Sequence, residues 1–283
     1  MDYIHFIFNF EPFDEAYSDV LASILGSEGF DSFENIDGVL HGYIQENIFS
    51  ELSIEKIINN YPIPDVSISY KIEHISGKDW NKEWEKTFEP IQIDDLAYIH
   101  SSNYAASNSV AYDIIINPRM AFGSGSHATT RMLLRSILTS DIRCKSVLDL
   151  GCGTGILGIA AKMHGCGSLT LVDIDAMSVE NSRDNLEMNG ISDYNLIEGS
   201  LDSLSPSSRY DIIFSNIHLN IHLSLMQDYS NHLNDGGLLY LSGFYNDDVD
   251  KLVSAASLHG LTFSSSFSEE GWVVLLFSRF ISR

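Results

Sequence analysis

Apolar and polar residues alternate over 3–10 (YIHFIFNF), a period of two that predicts a half-buried strand. Over 14–28 the spacing changes: Ala16, Val20, Leu21, Ile24 and Leu25 fall on one face of an amphipathic helix. Two further strands are predicted at 30–36 and 38–46, joined at Asp37-Gly38, a dipeptide suited to a tight hairpin turn. Ser50 or Ser53 can then cap a helix through Ile57 and Ile58 that stops before Pro62 and Pro64, and 66–72 (VSISYKI) alternates as a fourth strand. The order β-α-β-β-α-β predicts a small ferredoxin-like α+β domain over residues 1–75.

Residues 77–88 (GKDWNKEWEKTF) are charged, with Trp80 and Trp84 on one helical face, and predict a linker helix within 76–90 anchored by two aromatics. Residues 91–117 suggest short strands and polar loops ending in the apolar run Ile114-Ile115-Ile116. From Ser146 onward strands alternate with helices, the pattern of a parallel sheet covered on both faces. Strands are predicted at 146–150, 169–173, 194–198, 210–215 and 236–241, with helices near 156–164, 176–188, 219–232 and 247–258. Segments 261–267 and 271–278 are too close for a crossover helix and should pair as an antiparallel hairpin. Residues 91–283 are thus expected to form one α/β domain with a C-terminal antiparallel hairpin.

With 44% hydrophobic and 19% charged residues, the chain has the composition of an ordinary folded protein. No apolar run approaches membrane-spanning length, and the start MDYIHF lacks the basic region of a secretory signal, so a cytoplasmic location is expected. The cysteines Cys144, Cys152 and Cys166 show no pairing that suggests a metal or disulfide framework. Acidic residues outnumber basic ones 39 to 16, a formal charge of −23. That disfavours direct nucleic-acid binding; it suits either simple solubility or encounter with a basic protein.

The chemistry concentrates at predicted strand ends. Strand 146–150 runs into Gly151-Cys152-Gly153-Thr154-Gly155 and then a helix, an arrangement that lets a ligand approach the backbone closely. A glycine turn alone is weak evidence, but Asp173 ends the next strand about 20 residues later, where an acid can bond both hydroxyls of a ribose. Asp175 suits the N-cap of the following helix, and Glu198-Gly199-Ser200 lies where an adenine would sit. Asn216 ends the fourth strand; its amide can donate to a cofactor or accept from a substrate amine, or it can serve as a turn residue. His218 suits a helix surface. A nicotinamide oxidoreductase is disfavoured by the spacing GxGxG in place of GxGxxG and by the terminal hairpin.

The segments NPRMAFGSGSHATT (117–130), VLDLGCGTGILGIAA, VDID and SNI resemble the bacterial ribosomal protein L11 methyltransferases, the PrmA family, over essentially the whole chain. The resemblance implies a seven-stranded Rossmann-like class I methyltransferase domain, S-adenosylmethionine as cofactor, and transfer of methyl groups to lysine side-chain and N-terminal amines of ribosomal protein L11. By position it makes Thr130, Gly151, Asp173 and Asn216 cofactor contacts, joined by Gly153 of the same loop. It places Phe122 and His127 in a loop over the methionine end of the cofactor, and implies that residues 1–75 grip the protein substrate. Asn117, Arg119, Ser124, Ser126 and Ala128 depart from the family pattern, while the transferred contacts keep its residue types. Methylation of another protein or a small molecule, or a non-catalytic module that binds a nucleoside or a ribosomal protein, is the alternative.

Overall fold

The computed structural model describes residues 2–36, 38–49, 51–64, 66–75, 89–107, 109–117 and 123–280. The predicted linker helix with Trp80 and Trp84, as well as Arg119 and Phe122, lies outside the described residues. The chain divides into two compact units, Met1–Glu83 and Trp84–Arg283. Among the described residues no helix is long and apolar enough to cross a membrane.

The first unit is built from β1 (Tyr3–Glu11), α1 (Glu15–Ser27), β2 (Phe30–Ile36), β3 (Val39–Gln45), α2 (Glu51–Asn59) and β4 (Ser67–Ile75). Its antiparallel sheet has the order β2-β3-β1-β4. The period of two in β1 turns Ile4, Phe6, Phe8 and Phe10 inward, where they meet Leu21 and Leu25 of α1 and Ile54 of α2. Gly38, at φ +82°, takes the left-handed conformation of the β2–β3 turn.

The second unit starts with β5 (Ile91–Ile93), β6 (Ala97–His100) and β7 (Tyr112–Ile115), a small sheet in which β6 pairs antiparallel to β5 and parallel to β7. Then follow α3 (Ala128–Thr139), β8 (Ser146–Leu150), α4 (Ile156–Met163), β9 (Ser168–Asp173), α5 (Ala176–Met188), β10 (Asn195–Glu198), β11 (Tyr210–Asn216), α6 (Leu219–His232), β12 (Leu233–Tyr245), α7 (Val249–Leu258), β13 (Leu261–Glu269) and β14 (Trp272–Arg279). The larger sheet has the order β10-β9-β8-β11-β12-β14-β13. Its first five strands are parallel, and β14 and β13 are antiparallel to their neighbours. From β8 the chain proceeds outward through β9 to β10, then returns to β11 on the other side of β8. A crevice for ligands opens at the carboxyl ends of strands at such a switch point.

Two differences from the sequence-based expectation have physical causes. Helix α3 was not foreseen: its start is capped by the His127 side chain, which accepts from Thr129 N, and the usual short-side-chain cap signal is missing. Strand β12 begins at Leu233, before the predicted 236, because the glycines at 236 and 237 sit within a pairing irregularity and do not end the strand.

Helix α5 also supplies hydrogen bonds that would ordinarily come from a neighbouring strand. Asn181, Asn185 and the C-cap Asn189 recur every four residues on one face. Asn189 donates to Ile115 O (2.7 Å) and accepts from Ile115 N (2.9 Å), Asn185 accepts from Asn117 N (3.0 Å), and Asn181 donates to Asn117 O (2.9 Å). Asn185 also donates to Thr154 O (2.9 Å), tying the glycine loop to the end of the small sheet. Asn185→Ala strips partners from one buried and one partly buried backbone group and should lower the unfolding free energy by ~2–4 kcal/mol, read from urea denaturation. A loss within experimental error would contradict this bridging role.

Candidate active site

The turn after β8 exists because glycine occupies its hinge points. Gly151, Gly153 and Gly155 have φ of +72°, +54° and +80°, a region that side chains strain to enter. A Cβ on Gly151 would stand 2.3 Å from Ile217 Cγ2, so the loop also lies directly against the end of β11. Gly151 N donates to Val172 O (2.8 Å), and Gly153 N donates to Asp173 Oδ2 (2.8 Å). The other oxygen of Asp173 accepts from Asp175 N (3.0 Å), so the carboxylate is held at the cavity edge before any ligand arrives. Asp175 itself is the N-cap of α5, accepting from Met177 N and Ser178 N.

Behind this loop Asp149 is fully buried. One of its oxygens accepts from Gly158 N (2.9 Å) in the first turn of α4, whose N-cap Gly155 has no side chain to do so. Its other oxygen has no partner among the described residues. Burial pushes its pKa up to about 7; the Gly158 hydrogen bond opposes that rise and nearby Asp173 adds to it.

Across the crevice, Asn216 Nδ2 donates to Thr129 Oγ1 (3.1 Å). His127 Nδ1 lies 2.7 Å from the same hydroxyl and accepts from Thr129 N (3.4 Å). A consistent proton assignment runs from Asn216 through the Thr129 hydroxyl to Nδ1, leaving the ring proton of a neutral His127 on Nε2. Burial, together with the Arg131 charge, holds His127 below the usual histidine range, with Glu270 pulling the other way. With Nδ2 engaged, Asn216 keeps Oδ1 as a buried acceptor without a partner among the described residues. His127 also packs edge-on against Trp272 (4.6 Å between centroids).

The helix that carries these groups is clamped to the terminal hairpin. Arg131 bonds Glu269 and Glu270 (each 2.7 Å), and Arg135 bonds Glu269 (2.5 Å) and Asp94 (2.7 Å). Burial works against ionisation of Glu269, but its bonds to the two arginines keep its carboxyl below the usual range. The hairpin turns through Glu270 and Gly271, both left-handed, as a two-residue connection requires.

Together these elements enclose a cavity of about 430 Å³, within the range of small-ligand sites. Of the sequence-predicted contacts, Gly151, Gly153, Asp173 and Asn216 line it, as does His127. Thr130 does not. Its hydroxyl is buried without a partner among the described residues, and the preceding Thr129 lines the cavity instead. Gly199 and Ser200 line it, whereas Glu198 does not. His218, expected on a helix surface, is the N-cap of α6 and part of the lining. The sequence reading missed Thr129, Ile217, Gly243 and Trp272, which reach the cavity only through tertiary packing.

The family model for "Ribosomal protein L11 methyltransferase (PrmA)" matches residues 29–279. A ribosomal protein L11 methyltransferase of Bacteroides fragilis is 41% identical over 278 residues, covering 98% of this chain and 99% of that one. One from Bacteroides thetaiotaomicron is 40% identical over 279 residues, covering 98% and 100%. Among solved structures, a ribosomal protein L11 methylase from Lactobacillus delbrueckii subsp. bulgaricus matches with a TM-score of 0.63 and 27% identity, over 69% of this chain and all of that one. The chain belongs to the ribosomal protein L11 methyltransferase family.

Asp149 gives the site a pH signature. Its folded pKa lies above that of an unfolded aspartate, so between pH 4 and 7 the folded state holds more protons and stability falls as pH rises. Relative to Asp149→Asn, the native chain should lose about 2.5 kcal/mol of unfolding free energy between pH 5 and pH 8, measured in urea. A constant difference between the two proteins would show that Asp149 ionises normally.

Proposed function

We propose that this member of the family transfers methyl groups from S-adenosylmethionine to lysine side-chain and N-terminal amines of ribosomal protein L11. The observation that carries the reading is the pairing of a nucleoside-type cradle with Asn216 on one cavity wall, its Oδ1 a buried acceptor without a partner among the described residues. The cradle is the glycine loop, where a side chain at Gly151 would collide, faced by the Asp173 carboxylate. Ile174, Leu201 and Ile217 supply apolar wall. These residues fit the cofactor: Asp173 would accept from the ribose hydroxyls, and Gly151 and Gly153 would admit the chain beside them.

When bound, S-adenosylmethionine supplies an electrophilic methyl group on a sulfonium whose positive charge disfavours a neighbouring ammonium. An unperturbed lysine costs about 4.6 kcal/mol to deprotonate at pH 7, so the cavity must favour the neutral amine by withholding water. Asn216 Oδ1 can accept one N–H of that amine and aim its lone pair, while Thr129 prevents the amide from turning. No covalent nucleophile or strong base is required of the chain. His127 serves first as the cap of α3 and as the end of the chain that orients Asn216.

Residues 1–75 are assigned to substrate recognition and read as a ferredoxin-like domain on the strand order β2-β3-β1-β4, with 76–90 as the linker. The 91–283 region is read as the seven-stranded Rossmann-like catalytic domain. A formal charge of −23 suits encounter with a basic ribosomal protein better than with a nucleic-acid backbone, and a cytoplasmic site of action fits that substrate.

Asp173→Ala should weaken cofactor binding roughly 10- to 100-fold by calorimetry, the loss expected for removing hydrogen bonds to a charged acceptor. Asn216→Ala should lower kcat for L11 methylation by on the order of a hundredfold, through lost orientation of the amine. Full turnover by Asn216→Ala would refute its role.

A further inference from the structure

A second polar network lies behind Asn216, inside the core and outside the cavity lining. His222, on the first turn of α6, is completely buried, and so is Tyr229 two turns later. His222 Nε2 lies 2.8 Å from Ser242 O, and its Nδ1 lies 2.9 Å from the Tyr229 hydroxyl. That hydroxyl lies 3.1 Å from Ser215 Oγ. The Tyr229 hydroxyl donates to Ser215 Oγ, and the tautomer of His222 decides which ring nitrogen carries the proton toward Tyr229 or Ser242 O. Burial pushes the His222 pKa down to about 4, which keeps the ring neutral.

The two ends of this chain of bonds bracket one residue. Ser215 immediately precedes Asn216, and Ser242 O also accepts from Ile217 N (3.1 Å), immediately after it. Gly243 then presses on the Ile217 peptide so closely that a Cβ there would lie 2.2 Å from Ile217 O. The His222 ring is held in turn by edge contact with Phe244 (5.7 Å).

We propose that His222 and Tyr229 are positioning residues for methyl transfer: their buried hydrogen-bond chain fixes the Ser215–Ile217 turn so that the Asn216 amide stays aimed into the cavity. The proposal rests on the assignment of Asn216 as the group that orients the amine. Neither residue lines the cavity; both act through the backbone that carries Asn216.

Tyr229→Phe removes a single hydroxyl from a fully packed ring and is the primary variant. His222→Leu breaks the chain at its centre, and His222→Gln restores it, since a glutamine keeps a polar amide between Ser242 O and the Tyr229 hydroxyl. In the full-length chain with L11 as substrate, Tyr229→Phe should lower kcat by about tenfold with the KM for S-adenosylmethionine nearly unchanged, and His222→Gln should retain several-fold more turnover than His222→Leu. In an Asn216→Ala background, Tyr229→Phe should cost nothing further, because both changes remove one orienting effect. In cofactor-free protein, the Ile217 amide should exchange its hydrogen faster in Tyr229→Phe than in the native chain under conditions where unfolding free energies are matched.

An unchanged kcat, fully additive losses with Asn216→Ala, or unaltered Ile217 exchange would each overturn the proposal. Full turnover by Asn216→Ala alone would instead refute the assignment of Asn216. The exchange measurement would then still decide whether the buried chain holds the turn.

Discussion

The end of β11 is wedged between two glycines, and that close approach is the constraint on which the site depends. Gly151, from the turn after β8, leaves 2.3 Å between a notional Cβ and Ile217 Cγ2; Gly243, within β12, leaves 2.2 Å to Ile217 O. Three neighbouring strands therefore bring their carboxyl ends together at a separation that only hydrogen on the α-carbon permits. Asn216 stands at the centre of this contact, immediately before Ile217. The turn has little room to adjust, so the direction of the Asn216 amide is set by packing that is complete before any ligand binds.

The polar groups divide into two sets around that turn. On the cavity side, Asn216, Thr129 and His127 share one line of hydrogen bonds, and Asp173 is held by backbone donors. On the core side, Ser215, Tyr229, His222 and Ser242 form another. The arginine and glutamate clamp at Glu269 keeps α3 against the terminal hairpin, and with it the contact between His127 and Trp272. A transfer reaction of this kind asks the protein for orientation and desolvation rather than for a reactive side chain. The polar residues on the cavity side are accordingly bonded to one another, with Asn216 Oδ1 left to meet the incoming amine.

What was legible in the sequence is what local chemistry determines. The glycine turn, Asp173 at a strand end, Asp175 as a cap and Asn216 at another strand end all follow from neighbours within a few residues. The two adjacent threonines show where that kind of reading stops. Which of Thr129 and Thr130 faces Asn216 depends on where α3 begins, and its cap is an imidazole that gives no ordinary start signal. Gly243 did carry a usable sign, since a glycine inside a strand often marks close backbone approach. His222 carried none: its partners lie 7 and 20 residues away, and only the folded packing of α6 against β12 brings them together.

The proposed activity is methyl transfer from this cavity to one protein, ribosomal protein L11. The most direct measurement is to incubate the purified chain with methyl-labelled S-adenosylmethionine and a total ribosomal protein extract, then identify the labelled species by mass spectrometry. Label confined to amines of ribosomal protein L11 is the result predicted. Label spread over other proteins, or none on L11 while the cofactor binds, would contradict it.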